Sequence, residues 1–132
     1  HRNGGWGTSL MTMDRSGNVT FAGNVTAYSD ERLKTEIKTI ENPLDTISKL
    51  RGVTFKWKES GDDSMGVIAQ EVEAIETKCL VSETPEDGNG DINPKNVAYG
   101  NMVGLLIEGM KEQQTVINRL VQDIKDLKDK IK

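Results

Sequence analysis

Residues 103–131, VGLLIEGMKEQQTVINRLVQDIKDLKDKI, decide how this chain is put together. Val103, Leu106, Met110, Gln113, Ile117, Leu120, Ile124, Leu127 and Ile131 stand alternately three and four apart, and eight of the nine are apolar. That spacing is the heptad seam of a helix that packs lengthwise against other helices. In register, Ile117, Ile124 and Ile131 take the a positions, and Leu120 and Leu127 take d. Isoleucine at a with leucine at d favours two strands in an isolated parallel coil. Val116 at g, with Ile107 and Val121 at e, widens the apolar face beyond a dimer seam. A wide face fits a trimer, or a helix resting partly on its own globule. Gln113 is the polar exception, and a polar seam residue can fix register and strand number. Asp123 at g and Lys128 at the following e are placed to pair between parallel chains. The expected helix runs from about Val97 to Lys132.

The rest of the 132 residues offers little to cover such a helix. Only 35% are hydrophobic, and the aromatics are two Trp, two Tyr and two Phe. A small chain buries proportionally little surface, and oligomerisation often supplies the missing burial. The helix is therefore expected to meet copies of itself rather than to close a monomer's core. The net charge of −4 argues against a nucleic-acid partner, which usually shows as a basic patch. Cys79 is the lone cysteine and His1 the lone histidine, which leaves no disulfide, no zinc motif and no histidine-based catalytic site. No phosphate loop or cofactor motif is present, no apolar run has transmembrane length, and no signal peptide opens the chain. It starts without a start signal of its own, and so reads as the end of a longer protein.

Residues 9–28 carry strand chemistry. Ser9-Leu10-Met11-Thr12-Met13 alternates, and Asp14-Arg15-Ser16-Gly17-Asn18 is a turn signal. Gly17-Asn18-Val19-Thr20-Phe21-Ala22 is echoed by Gly23-Asn24-Val25-Thr26-Ala27-Tyr28. Short strands punctuated by Gly-Asn suit a fibrous stem whose strands are shared by three chains, and equally suit one ordinary hairpin. Asn18-Val19-Thr20 and Asn24-Val25-Thr26 match the glycosylation acceptor pattern, without a secretory context to use it.

Composition changes after Ser29. Asn42-Pro43 places a cap and a first-turn proline before the short helix Leu44–Leu50, which Arg51-Gly52 ends. Val53-Thr54-Phe55-Lys56-Trp57-Lys58 alternates as a strand with Val53, Phe55 and Trp57 inward. Glu59–Ser64 reads as a polar turn, and a second helix is expected from Val67 to Thr77 with Ile68, Val72 and Ile75 on one face. Thr84–Asp91 is an acidic stretch without calcium-loop spacing, better suited to a solvated hairpin tip.

At the change of composition stands Ser29-Asp30-Glu31-Arg32-Leu33-Lys34. A serine hydroxyl is a poor nucleophile until a base removes its proton. With histidine missing from the interior of the chain, lysine is the remaining common base, as in Ser-Lys hydrolases. Lysine acts as the neutral amine, so burial or a nearby cation must lower its pKa towards ~7–8, and Arg32 is the cation at hand. Five residues on a regular helix leave two side chains ~140° apart, so Ser29 and Lys34 cannot meet on one continuous helix. Either Ser29 lies extended or capping before the helix, or Lys34 reaches a serine of another chain. The plainer reading is that Ser29-Asp30 caps a helix while Arg32 and Lys34 are solvated.

Tyr28–Lys34, then Val53-Thr54-Phe55-Lys56-Trp57, then Gly66-Val67-Ile68-Ala69-Gln70-Glu71-Val72 follow one family's order. From Ser29 to Lys132 the chain resembles the self-cleaving intramolecular chaperone domain at the C-terminus of phage tailspikes and tail fibres, typified by phage endosialidases. Glu76-Thr77-Lys78-Cys79 departs from it, where many relatives carry a proline-containing turn. The resemblance implies that Ser29 is the nucleophile and Lys34 its paired base. It also implies one hydrolysis, at the Tyr28–Ser29 bond, which releases the chaperone from a finished fibre.

The expected architecture is α+β: the end of a β stem (1–28), then a chaperone domain (29–132) of a small mixed globule and a long coiled-coil-like helix, assembled as a homotrimer. The expected partners are two further copies and the upstream stem, with no nucleic acid, membrane, metal or cofactor. The expected setting is the host cytoplasm during virion assembly, with the parent protein on the virion tail. The competing expectation is a trimerisation or receptor-binding tip that is never cut.

Overall fold

The computed structural model describes residues 10–15, 17–75, 79–83 and 94–132, and the chain divides into two compact units, His1–Ile37 and Lys38–Lys132. Ser9, Ser16, the end of the expected second helix at Thr77 and the acidic stretch Thr84–Asp91 lie outside the described residues.

In the first unit, β1 (Met11–Met13) and β2 (Val19–Phe21) form an antiparallel hairpin that pairs Met11 with Phe21 and Met13 with Val19. Asp14 closes its turn: Oδ1 accepts from the Asn18 amide at 2.9 Å and Oδ2 from Asn18 Nδ2 at 2.8 Å. Gly17 takes the left-handed φ of 81° that this turn requires. Because side chains alternate along a strand, the two apolar pairs share one face and Thr12–Thr20 takes the other. Met11, Met13, Val19 and Phe21 are all exposed, and a lone two-stranded hairpin is marginal in water. The second copy of the Gly-Asn echo, by contrast, forms neither strand nor helix.

The second unit opens with α1 (Pro43–Lys49), where proline at the first helical position fits because its missing amide would have had no partner. The expected cap is corrected here. Asn42 sits in the left-handed region at φ 49° and its side chain caps nothing. The Leu44 amide donates instead to Glu112 Oε2 at 3.2 Å. β3 (Val53–Lys56) pairs antiparallel with β4 (Asp63–Gly66), with Val53 opposite Gly66. Val53 and Phe55 are half-buried as expected, but Trp57 is 57% exposed. The strand has ended there: the Trp57 backbone already serves the turn, its amide donating to Asp62 O and its carbonyl accepting from Gly61. Its ring keeps an edge-to-face contact with Phe55, with centroids 5.2 Å apart.

The expected second helix is much shorter among the described residues: α2 spans Ala69–Glu73. Its inner face holds, with Val72 only 1% exposed and Ile68 and Ile75 half-buried. β5 (Val81–Glu83) and β6 (Lys95–Val97) form a third antiparallel pair, so Val97 ends a strand rather than starting the long helix. After a 3₁₀ turn at Tyr99–Asn101, α3 runs from Met102 to Ile131. Among the described residues the result is mixed α and β, three two-stranded sheets and a long C-terminal helix.

The buried centre of this unit is small: Pro43, Val72, Leu80 and Leu105, with Gly109 beneath α1. Gly109 lets the helices close, since a Cβ there would overlap Ile47 Cδ1. Ion pairs tie the periphery. Arg51 binds Glu71, and Lys95 binds Glu73 at 2.9 Å and Glu83 at 2.6 Å, which staples α2 to the β5–β6 hairpin.

Candidate functional site

Ser29 to Lys34 forms a closed loop built from polar restraints. Asp30 is extended (φ −64°, ψ 132°) and caps a single 3₁₀ turn at Glu31–Leu33. Lys34 returns to extended backbone at φ −125°, ψ 152°. The Leu33 amide donates to Asp30 O at 3.1 Å and the Lys34 amide to Glu31 O at 3.0 Å. One tight turn flanked by extended residues brings the two ends together, which no continuous helix could do. Lys34 Nζ donates to Ser29 Oγ at 2.7 Å and to Ser29 O at 3.2 Å.

Of the two ways of meeting that the spacing leaves open, the single chain adopts the first. Ser29 lies before the turn, and its lysine neighbour comes from its own chain. The capping expectation holds as well, but Asp30 supplies the cap. Its Oδ1 accepts from the Arg32 amide at 2.9 Å, and both of its oxygens accept from the Arg32 guanidinium. The Arg32 hydrogen bonds hold the Asp30 carboxyl below its usual range, and the same contact raises Arg32. Arg32, the cation nearest Lys34 in sequence, pairs with Asp30. Ser29 and Lys34 are exposed in the single chain, and Tyr28, on the other side of the expected scissile bond, is 96% exposed.

Chemically, this is a hydroxyl and an amine in direct contact beside a peptide carbonyl. Such a pair can move a proton between Oγ and Nζ in one step, provided the amine is neutral. The sequence marks Asp30, with Glu31 and Arg32, only as an orienting or structural residue, and the clamp that Asp30 makes on Arg32 is the detail that the structure adds. Its signal is an Asp two residues before an Arg at a helix start, the ordinary signature of a cap.

The second candidate feature is the seam on α3. Val103, Leu106, Met110, Ile117, Leu120, Ile124, Leu127 and Ile131 are all exposed, and so is Gln113. At about 100° per residue, Gly109 and Glu112, which face α1, and the buried Leu105 lie on the far side of the helix from Val103, Ile107 and Met110. Folding of the single chain therefore leaves the seam uncovered. From Met110 onward every residue of α3 is exposed.

Comparison with known proteins agrees with the position of this loop. Residues 29–81 match a peptidase family model described as the chaperone of endosialidase. The chain is also similar to the long tail fiber protein Gp37 of Salmonella phage S16, 29% identical over 150 aligned positions covering 98% of this chain and 20% of that protein. Gp37 of Enterobacteria phage K3 and Gp37 of Enterobacteria phage T2 are each 30% identical over 104 positions, covering 75% of this chain and 8% of theirs. The chain thus spans a fifth or less of the length of these relatives.

Proposed function

We propose that this chain, whose residues 29–81 belong to the chaperone-of-endosialidase family, is the folding module of a phage tail fibre and releases itself by cutting its own backbone at Ser29. The observation that carries the reading is the 2.7 Å contact between Lys34 Nζ and Ser29 Oγ, at the residue where the family match begins.

On this reading three chains associate through the α3 seam, and residues 1–28 belong to the fibre stem. Association removes the entropic cost of gathering chain ends for a highly non-local β stem, which is slow to fold. The neutral Lys34 amine takes the Ser29 hydroxyl proton while Oγ bonds to the Tyr28 carbonyl carbon. Collapse of that adduct breaks the Tyr28–Ser29 C–N bond, and the Lys34 ammonium returns the proton to the departing nitrogen. The result is an ester between Tyr28 and Ser29 Oγ. Water then cleaves the ester, its hydroxyl going to the Tyr28 acyl carbon and its proton to Oγ. One water is consumed and one peptide bond is lost: Tyr28 ends as a carboxyl and Ser29 as a new amino terminus, while the Ser29 hydroxyl and the Lys34 amine are restored. The reaction occurs once per chain, as a self-cleaving serine endopeptidase without a cofactor. It takes place in the host cytoplasm during assembly, and the fibre stays on the virion tail.

One observation favours a second reading, an uncut trimerisation or receptor-binding tip. Ser29 and Lys34 are exposed, and a lysine base gains its neutral form by leaving water. The intact mass of this chain with a longer natural stem, beside Ser29→Ala and Lys34→Ala versions, separates the two. A fragment beginning at Ser29, found only with both residues present, supports self-cleavage. An uncut chain in all three samples leaves the tip.

A further inference from the structure

The loop poses a mechanical question that its two end residues do not answer. Lys34 carries a long, flexible side chain at an exposed position, so its contact with Ser29 depends on where the backbone aims it. The turn itself buries nothing: Leu33 is 71% exposed, Ile37 is exposed, and no residue of Glu31–Leu33 is buried. Apolar packing therefore does not set the loop. Its shape rests on the two backbone hydrogen bonds of the turn and on the four that the Asp30 carboxylate accepts from the Arg32 amide and guanidinium.

We propose that Asp30 is a positioning residue for the Ser29–Lys34 pair, acting through the turn that its carboxylate closes on Arg32. The inference rests on reading Ser29 and Lys34 as the cleaving pair. Asp30 does not itself move the proton: both of its oxygens are engaged by Arg32. Of the two, the Oδ1 bond to the Arg32 amide bears on geometry, since it fixes the backbone on which the turn is built. The guanidinium holds the carboxylate in place for that bond. Glu31 and Glu36, the other acids of this stretch, are exposed, and the Asp30–Arg32 bonds involve neither carboxylate.

The role makes an unusual demand on substitutions. Asp30→Asn removes the charge yet keeps a cap oxygen of the same reach. Asp30→Glu keeps the charge and lengthens the reach. Asp30→Ala removes both. In the chain with its longer natural stem, Asp30→Asn should cut within about threefold of the unsubstituted rate, as Asn and Asp cap about equally well. Asp30→Glu and Asp30→Ala should slow by up to about 10²-fold, the scale of an ångström's misplacement of a catalytic group. Size and thermal midpoint of the assembly should stay unchanged in all three.

A second readout does not depend on cutting. In an S29C background, the pH profile of alkylation by iodoacetamide reports whether a cation stands beside the introduced thiol, because such a neighbour makes the thiol more acidic. Adding Asp30→Ala should return the profile to that of an ordinary thiol, and adding Asp30→Asn should not. Asp30→Ala cutting at the unsubstituted rate, or leaving the thiol profile unmoved, would overturn the proposal. So would Asp30→Asn behaving like Asp30→Ala, which would make the charge the requirement. If the unsubstituted chain is never cut, the cleaving pair fails as a reading, and the thiol profile still decides whether Asp30 holds Lys34 at Ser29.

Discussion

Glu112, on the third turn of α3, accepts a hydrogen bond from the backbone amide of Leu44, 68 residues earlier in the chain. The long helix thereby caps the short one that rests on it. Glu112→Ala should destabilise the second unit by about 1 kcal/mol, the usual cost of losing a cap. Glu112→Gln, which keeps an acceptor oxygen, should cost less. Chemical denaturation followed by circular dichroism measures both, and equal losses would place the contribution of Glu112 elsewhere.

Gly66 stands where the Tyr99 hydroxyl meets the β4 backbone, and that hydroxyl accepts from the Val67 amide at 3.3 Å. A Cβ at position 66 would overlap it. Gly66→Ala should therefore cost about 1–3 kcal/mol, as overpacking does. Adding Tyr99→Phe removes the obstructing oxygen and should recover part of that loss in thermal unfolding. A double variant less stable than Gly66→Ala alone would refute the close approach as the cause.

The ion pairs of Arg51 and Lys95 give the second unit opposite dependences at the two ends of the pH scale. The Arg51 hydrogen bond lowers Glu71, so the stability from this pair is complete above the ordinary carboxyl value of 4.5 and is lost as pH falls below it through the lowered value. Glu83, lowered by its hydrogen bond with Lys95, behaves alike. Lys95 is raised, by Glu83 first and then Glu73. Its contribution is complete below the ordinary 10.5 and is lost as pH climbs through the raised value. Glu71→Gln should flatten the acid limb of a thermal midpoint curve and leave the alkaline limb in place. Arg51, Glu73 and Glu83 are exposed and Glu71 and Lys95 only half-buried, so water screens these pairs and both limbs should be shallow.

The α3 seam predicts its own disruption. Leu120→Lys places a charge at the centre of the apolar stripe and should leave single chains in sedimentation equilibrium, with the α1–α3 contact intact. Gln113→Ile should raise the melting point of the assembly and broaden its strand number, since a polar seam residue specifies number at a cost in stability. A melting point that falls would mean that Gln113 is not in the seam.

What sequence alone revealed follows the range of the forces involved. The long helix, α1 and β3 were legible because their signals are local: three-four spacing over four heptads, a proline at a first turn, and alternation at Val53 and Phe55. Trp57 was misplaced because where a strand ends depends on its partner's turn, here the Asp62 and Gly61 backbone. The pair β5–β6 was hidden by its length of three residues per strand and by the stretch between them. The Glu112 cap joins segments that no local pattern connects. At Ser29–Lys34, spacing excluded a continuous helix and left two ways for the residues to meet. The Asp30 hydrogen bonds describe one of them in atomic terms.

The uncovered half of α3 has a consequence for supply. From Gln113 to Ile131 it extends ~28 Å, and its apolar side meets only water while the chain is alone. If three chains must collide to cover it, the rate of completion rises steeply with the concentration of freshly made protein. Dilution, more than heat, would then leave chains unfinished.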